Sequence, residues 1–130
     1  MPLTRDAILQ AEDLERRTIP VPEWGGDVLI RALTGAERDA YEASMHQQRG
    51  KEMIRNLANV RAKLVAKCAI DEDGNRLFTD QDANALGRKS AAALDRVFEA
   101  CAELSRLTDE DIDELGKASG SDPSEDSRSA

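Results

Sequence analysis

A single stretch, PVPEWGGDVLIRALTGAERDAYE at residues 20 to 42, restricts the fold of this chain more than any other, because it runs a tight strand turn directly into a capped helix. Thr18 to Val21 and Val28 to Leu33 are β-branched or aliphatic runs on either side of Pro22, Glu23, Trp24, Gly25 and Gly26. That is the composition of a β-hairpin over about 18–33 whose turn needs positive φ, with Trp24 at the turn. Thr34, Gly35, Ala36 and Glu37 then form a Thr-x-x-Glu capping box. The Thr34 hydroxyl can accept a helix N–H while the Glu37 carboxylate bonds back to the Thr34 amide. No reactive group stands between turn and helix, so the block reads as a docking scaffold and not as an active site.

The 130 residues suit one compact domain, placed here over 1–117, followed by a tail at 118–130. Hydrophobic residues make up 40% of the chain, but nineteen of them are alanines and only Trp24, Tyr41, Phe78 and Phe98 are aromatic. The core is therefore expected to be built from thin helices in close contact. Thr4 can cap a short first helix with Ala7, Ile8 and Ala11 as its apolar face. The helix from Thr34, over about 34–48, ends in the polar stretch His46 to Gly50, read as a loop with a solvated histidine. Met53, Leu57, Val60, Leu64 and Cys68 step by four, three, four and four, which predicts a helix over about 51–69. Asp71 to Asn75 reads as an Asp-Gly turn in a second, shorter hairpin. Capped helices follow over about 79–87, 90–107 and 108–116, opened by Thr79, Ser90 and Thr108. The segment SGSDPSEDSRSA has no large apolar residue and is expected to be disordered. The fold class is α+β, mainly α: an N-terminal β-hairpin packed on a small helical bundle, with a second short hairpin and a disordered C-terminal tail.

A formal net charge of -8 argues against non-specific binding to nucleic acid or to an anionic membrane, since both repel an acidic surface. Arg49, Lys51, Arg55, Arg61, Lys63 and Lys67 oppose only Glu52, but no aromatic residue among them could stack bases. Neutralisation within the protein or by an acidic partner helix is the reading for that basic run. No apolar stretch approaches the roughly 20 residues that span a bilayer, and MPLTRDAILQ lacks the apolar region of a secretory signal, so the chain is expected in the cytoplasm. Cys68 and Cys101 fall on apolar helix sides and read as reduced thiols packed as small hydrophobes.

Chemistry is sparse. DEDGNRLFTDQD at 71 to 82 aligns with a calcium loop, with Asp71, Asp73, Asn75, Thr79 and Asp82 at positions one, three, five, nine and twelve. Position six, however, is Arg76 where the loop needs glycine, and Asp82 is one methylene shorter than the bidentate Glu required, so a hairpin turn is the preferred reading and no metal is assigned. One histidine and two cysteines, far apart in sequence, cannot supply closely spaced zinc ligand pairs. Without a glycine-rich phosphate loop, a Gly-x-Ser-x-Gly elbow or a histidine near a nucleophile, neither catalytic residues nor a cofactor is assigned.

The block at 20 to 42, NLANVRAKLVAKCAIDEDGNRLFTDQD at 56 to 82, SAAALDRVFEACAELSRLTDEDIDEL at 90 to 115 and the polar C-terminus, in that order, resemble the tail assembly chaperones of long-tailed (siphovirus-type) bacteriophages. The resemblance implies a non-enzymatic protein of the host cytoplasm, absent from the mature virion. It would bind the tape measure protein transiently, with the tail tube protein as a further partner, to prevent aggregation and promote assembly of the tube. It also implies a longer form made by ribosomal frameshifting, for which the region after Gly116 is a suitable join. Partner contacts under this reading fall on Trp24, Val28, Ile30 and Tyr41 of the hairpin and adjoining helix, and on Val97 and Phe98 of the later helix, unless these form ordinary core. The alternative is a structural tail-completion or adaptor subunit of the virion, joined through the hairpin edge, and a homo-oligomer stays open.

Overall fold

In the computed structural model, which describes residues 1–55 and 58–107, β1 (Arg16–Val21) and β2 (Gly26–Arg31) form an antiparallel hairpin that sets Ile19 opposite Val28 and Arg17 opposite Ile30. A single 3₁₀ turn, Pro22–Trp24, joins them, and Gly25 closes it at φ +85, a backbone that glycine takes without strain. Alternation does the rest: Ile19, Val21 and Ile30 are buried while Arg16, Thr18 and Pro20 of β1 are exposed. A third strand, β5 (Ala69–Ile70), pairs with the other edge of β2 and gives the order β1-β2-β5.

The capping box forms as written in the sequence. Thr34 Oγ1 accepts from the Glu37 amide at 3.0 Å and Glu37 Oε1 accepts from the Thr34 amide at 3.0 Å, opening α2 (Gly35–Ala43). The predicted stretch of helix to 48 stops there, and the predicted loop and start of the 51–69 helix are instead a two-stranded hairpin of β3 (His46–Arg49) and β4 (Glu52–Arg55). The two-residue turn is Gly50 and Lys51, with Gly50 at φ +61, the left-handed backbone such turns demand. The next helix among the described residues is α3 (Val60–Cys68), preceded by Asn59 in a left-handed backbone, φ 54, that interrupts any helix running through it, while 56–57 of the predicted 51–69 helix lie outside the described residues. His46 opens β3 half-buried and is not a solvated loop residue.

The core lies between the inner face of the first sheet and two helices, α3 and α5 (Ala91–Leu104). Ser90 Oγ caps α5 by accepting from the Ala93 amide at 3.3 Å, and Ala93, Leu94, Val97, Phe98, Cys101 and Leu104 turn inward. Small side chains let the two helices approach closely. From Leu64 to Ile70 every residue is buried, including Lys67, whose Nζ bonds Asp80 Oδ1 at 3.1 Å. Asp80 stands in a second 3₁₀ turn, Asp80–Asp82, that leads into the brief α4 (Ala83–Leu86), so the predicted 79–87 helix is split between two geometries. Cys68 and Cys101 are free, buried and side by side between α3 and α5, and the hydrogen bond that the Cys101 thiol donates to Cys68, together with burial, pushes the Cys101 thiol well above its usual range.

Asp71 to Asn75 turns the chain back, with Gly74 at φ +90, and a bridge between Ile70 and Arg76 closes it. This is the short Asp-Gly turn read from the sequence, except that its leading arm also extends the first sheet. At the N-terminus, α1 (Arg5–Gln10) is capped by Thr4, whose Oγ1 accepts from the Ala7 amide at 3.2 Å, and it buries no residue. The predicted 108–116 helix and 118–130 tail lie outside the described residues.

Candidate functional site

The tip of the first hairpin is fastened to the helical body by one ion pair. The Arg96 guanidinium on α5 grips Glu23 through both carboxylate oxygens, at 2.7 and 2.8 Å, and this fork holds Glu23 at about 2, well below the usual carboxylate range. Beside it Trp24 is half-buried and packs on the core from the turn. Val28, opposite Ile19, is likewise half-buried against the core.

The other predicted contact residues are interior. Ile30, Tyr41 and Val97 are fully buried and Phe98 nearly so. The Tyr41 hydroxyl donates to the Val60 carbonyl at 3.1 Å, and burial pushes its pKa well upward. Phe98 is covered by Arg61, whose guanidinium lies 5.7 Å from the ring centroid while its Nε bonds Asp95 at 2.7 Å. Of the six positions, then, Trp24 and Val28 are reachable by a partner without opening the fold.

The end of β2 is built for rigidity. Arg31 reaches over to α2 and forks Glu37 at 2.7 and 2.9 Å, also donating to the Ala32 carbonyl at 2.9 Å. Burial raises the Glu37 pKa, but the hydrogen bonds from Arg31 and from the Thr34 amide outweigh it and hold the carboxyl at about 2. Hairpin and helix are thereby one piece, and Trp24 is presented from a rigid support.

The calcium-like segment spends its oxygens on its own backbone. Asp71 Oδ1 accepts from the amides of Asp73 at 2.9 Å and Asn75 at 3.0 Å, while Thr79 and Asp82 form a reciprocal cap through the Thr79 amide and Asp82 Oδ2 at 2.8 Å. Among the described residues no group of three or more His, Cys, Asp or Glu is placed to hold a metal ion, and no helix is long and apolar enough to cross a membrane. The basic run is broken up as well. Lys51 belongs to the second hairpin, whereas Arg61 and Lys67 are neutralised by Asp95 and Asp80, and Lys63 donates to the Ser44 carbonyl at 3.0 Å.

The sequence reading placed a Thr4-capped helix at the N-terminus but did not show that its apolar face stays uncovered. The apolar face of Ala7, Ile8 and Ala11 is exposed, and Leu3, Ile8 and Leu9 are 74, 57 and 65% exposed. Apart from Met1 in the same arm, Leu77 at the Asp-Gly turn is the one other large apolar residue exposed among the residues whose burial is described, which leaves out 47–49, 52–57 and 108–130. The available signal was length, since a six-residue helix has too short a face to anchor itself.

Residues 4–118 match the sequence model of the family described as phage tail assembly chaperone, which is most of the chain. No curated protein and no solved structure matches it. The chain belongs to the phage tail assembly chaperone family.

Proposed function

We propose that this phage tail assembly chaperone acts by binding the tape measure protein of a long-tailed phage transiently, shielding its apolar helical stripes until tail tube subunits displace the chaperone. It works without bond chemistry, in the host cytoplasm, and is left out of the finished particle. The family match over 4–118 is the observation that carries this reading. Trp24 and Val28 are the accessible contact points on the hairpin, whereas Ile30, Tyr41, Val97 and Phe98 act from the interior by keeping that surface in shape. A frameshift-extended form, joined after Gly116, belongs to the same proposal.

The rival reading, a permanent tail-completion or adaptor subunit, would use β1, the open edge of the first sheet. Pro20 on that strand has no N–H to give an added strand, which counts against it. Co-expression with the tape measure protein tests the choice. The full chain is expected to capture it, Trp24→Ala to capture several-fold less, and mass spectrometry of purified particles to find none of the chain. A stoichiometric amount in particles would move the protein to the rival class.

A further inference from the structure

α3 packs on α2 at one side and on the Asp80–Asp82 turn at another, and a small hollow lies where the three meet. Its volume is about 130 Å³, and Ala40, Ser44, Lys63, Lys67 and Asp80 line it. Ala40 and Ser44 stand one turn apart at the end of α2, and Lys63 and Lys67 one turn apart on α3, so each helix turns one stripe toward the space. Alanine and serine do not fill it. The hollow has room for about four waters, or for one tetrahedral oxyanion in their place.

Charge around the hollow is unbalanced. Lys67 is only 5% exposed, and its Nζ bonds Asp80 Oδ1, the same oxygen that Arg76 Nη2 holds at 2.9 Å. Lys63 is half-buried, and its Nζ donates to the Ser44 carbonyl, a neutral partner. Among the described residues no carboxylate bonds Lys63, and burial lowers its pKa. Three cations therefore share the one carboxylate of Asp80. The other acids of these elements are placed elsewhere: Arg31 forks Glu37, Arg38 bonds Glu42, and Asp82 accepts from the Thr79 amide. Asp39 is exposed and outside the lining, and α3 contains no acid. An ammonium that has lost part of its water without gaining a counter-ion favours an anion in the space beside it.

Asp80 selects which anion. Its Oδ1 is taken by Lys67 and Arg76, whereas its Oδ2 bonds no described residue, and the hydrogen bonds from Arg76 and Lys67 keep the carboxyl below its usual range. An ionised carboxylate accepts and cannot donate. The ligand must then offer anionic oxygens to the two lysines and an O–H to Asp80. Inorganic phosphate does both at neutral pH, because its monoanion and its dianion each keep a P–OH. Sulfate and carboxylates have no such proton, and a phosphomonoester loses its last one at a pKa of about 6.

We propose that inorganic phosphate binds in the hollow between α2, α3 and the Asp80 turn, with anionic oxygens on the Lys63 and Lys67 ammoniums and its P–OH donated to Asp80. The bound ion neutralises Lys63 and ties the end of α2 to α3. The site does not depend on which client the protein binds.

Titration of the full chain with sodium phosphate, against sodium sulfate and sodium chloride at matched ionic strength, tests it by NMR of the lysine side chains and by Tm. Phosphate is expected to saturate with a Kd on the order of 1 mM, moving the Lys63 and Lys67 signals together, raising the pKa of Lys63 and raising Tm with concentration. Sulfate and chloride are expected to show no saturation. Lys63→Gln is expected to bind about tenfold more weakly with an unchanged circular dichroism spectrum, while Lys89→Gln, outside the hollow, binds as the wild type does. Equal affinity for sulfate, tighter binding of phosphoserine than of inorganic phosphate, undiminished binding by Lys63→Gln, or no saturable response to phosphate overturns the inference. If Lys63→Gln does not fold, the wild type still decides: a Lys63 pKa that phosphate leaves in place overturns it as well.

Discussion

α1 and α5 begin alike and end up in opposite environments. Each is opened by a hydroxyl that accepts from the amide three residues on, Thr4 at 3.2 Å and Ser90 at 3.3 Å, and each carries alanine and aliphatic residues after the cap. Yet the 14 residues of α5 bury Val97, Phe98 and Cys101 in the centre of the protein, whereas the six of α1 bury nothing. A cap chooses where a helix starts; only a partner surface makes it part of the fold. The contrast explains how one sequence supplies both a rigid body and a bare apolar arm.

The comparison is broken most severely by emptying the buried side. Phe98→Ala is expected to cost about 3 kcal/mol in urea unfolding, because the ring fills space between α5 and α3 that Ala leaves open. A similar loss from Ile8→Ala would show instead that α1 is docked on the body.

Next comes the start of α2, where a cap is itself partly buried. Glu37 sits at about 2 when folded against an ordinary 4.5, so its contribution is complete above pH 4.5 and is lost as pH falls from there toward 2. After allowance for solvent at this site the contribution is about 1–2 kcal/mol. Arg31→Ala is expected to cost about 2 kcal/mol at neutral pH and to flatten the acid side of the stability curve, followed by urea titration between pH 2 and 6.

The smallest effects separate the two hydroxyl caps. Ser90→Ala is expected to lower stability by about 1 kcal/mol, while Thr4→Ala leaves Tm unchanged and removes only a little helical signal in circular dichroism. Equal shifts from the two would mean that α1 unfolds together with the body.

Much of this was legible in the residues because the signals were local. The Pro22-to-Gly26 turn, the Thr34–Glu37 box and the Ser90 cap all involve partners within a few positions, and each forms. The 51–69 helix forms over 60–68, while 52–55 pair as β4 and Asn59 takes a left-handed backbone that no spacing rule announces. Long-range choices were equally hidden. Nothing near Arg31 or Arg96 in sequence says that one will fork Glu37 and the other Glu23, and both pairs decide how the Trp24 turn is held. Of the contact residues read from sequence, the hairpin tip stayed accessible, and the positions on helical faces went inside because those faces had neighbours to pack on. The exposure of the arm was hidden for the converse reason: periodicity reports an apolar face and not whether anything covers it.

Asp80 has a consequence of its own. Its carboxylate accepts from Lys67 at 3.1 Å and from Arg76 at 2.9 Å, and Arg76 also reaches the Ala66 carbonyl at 2.9 Å, so the chain is fastened on the far side of the Asp71–Asn75 turn as β5 fastens it on the near side. A peptide bond cut by a protease within that turn would therefore leave two fragments that stay together as one particle. The same stitching makes the turn a place where the ends of a circularly permuted chain could be opened without dismantling the domain.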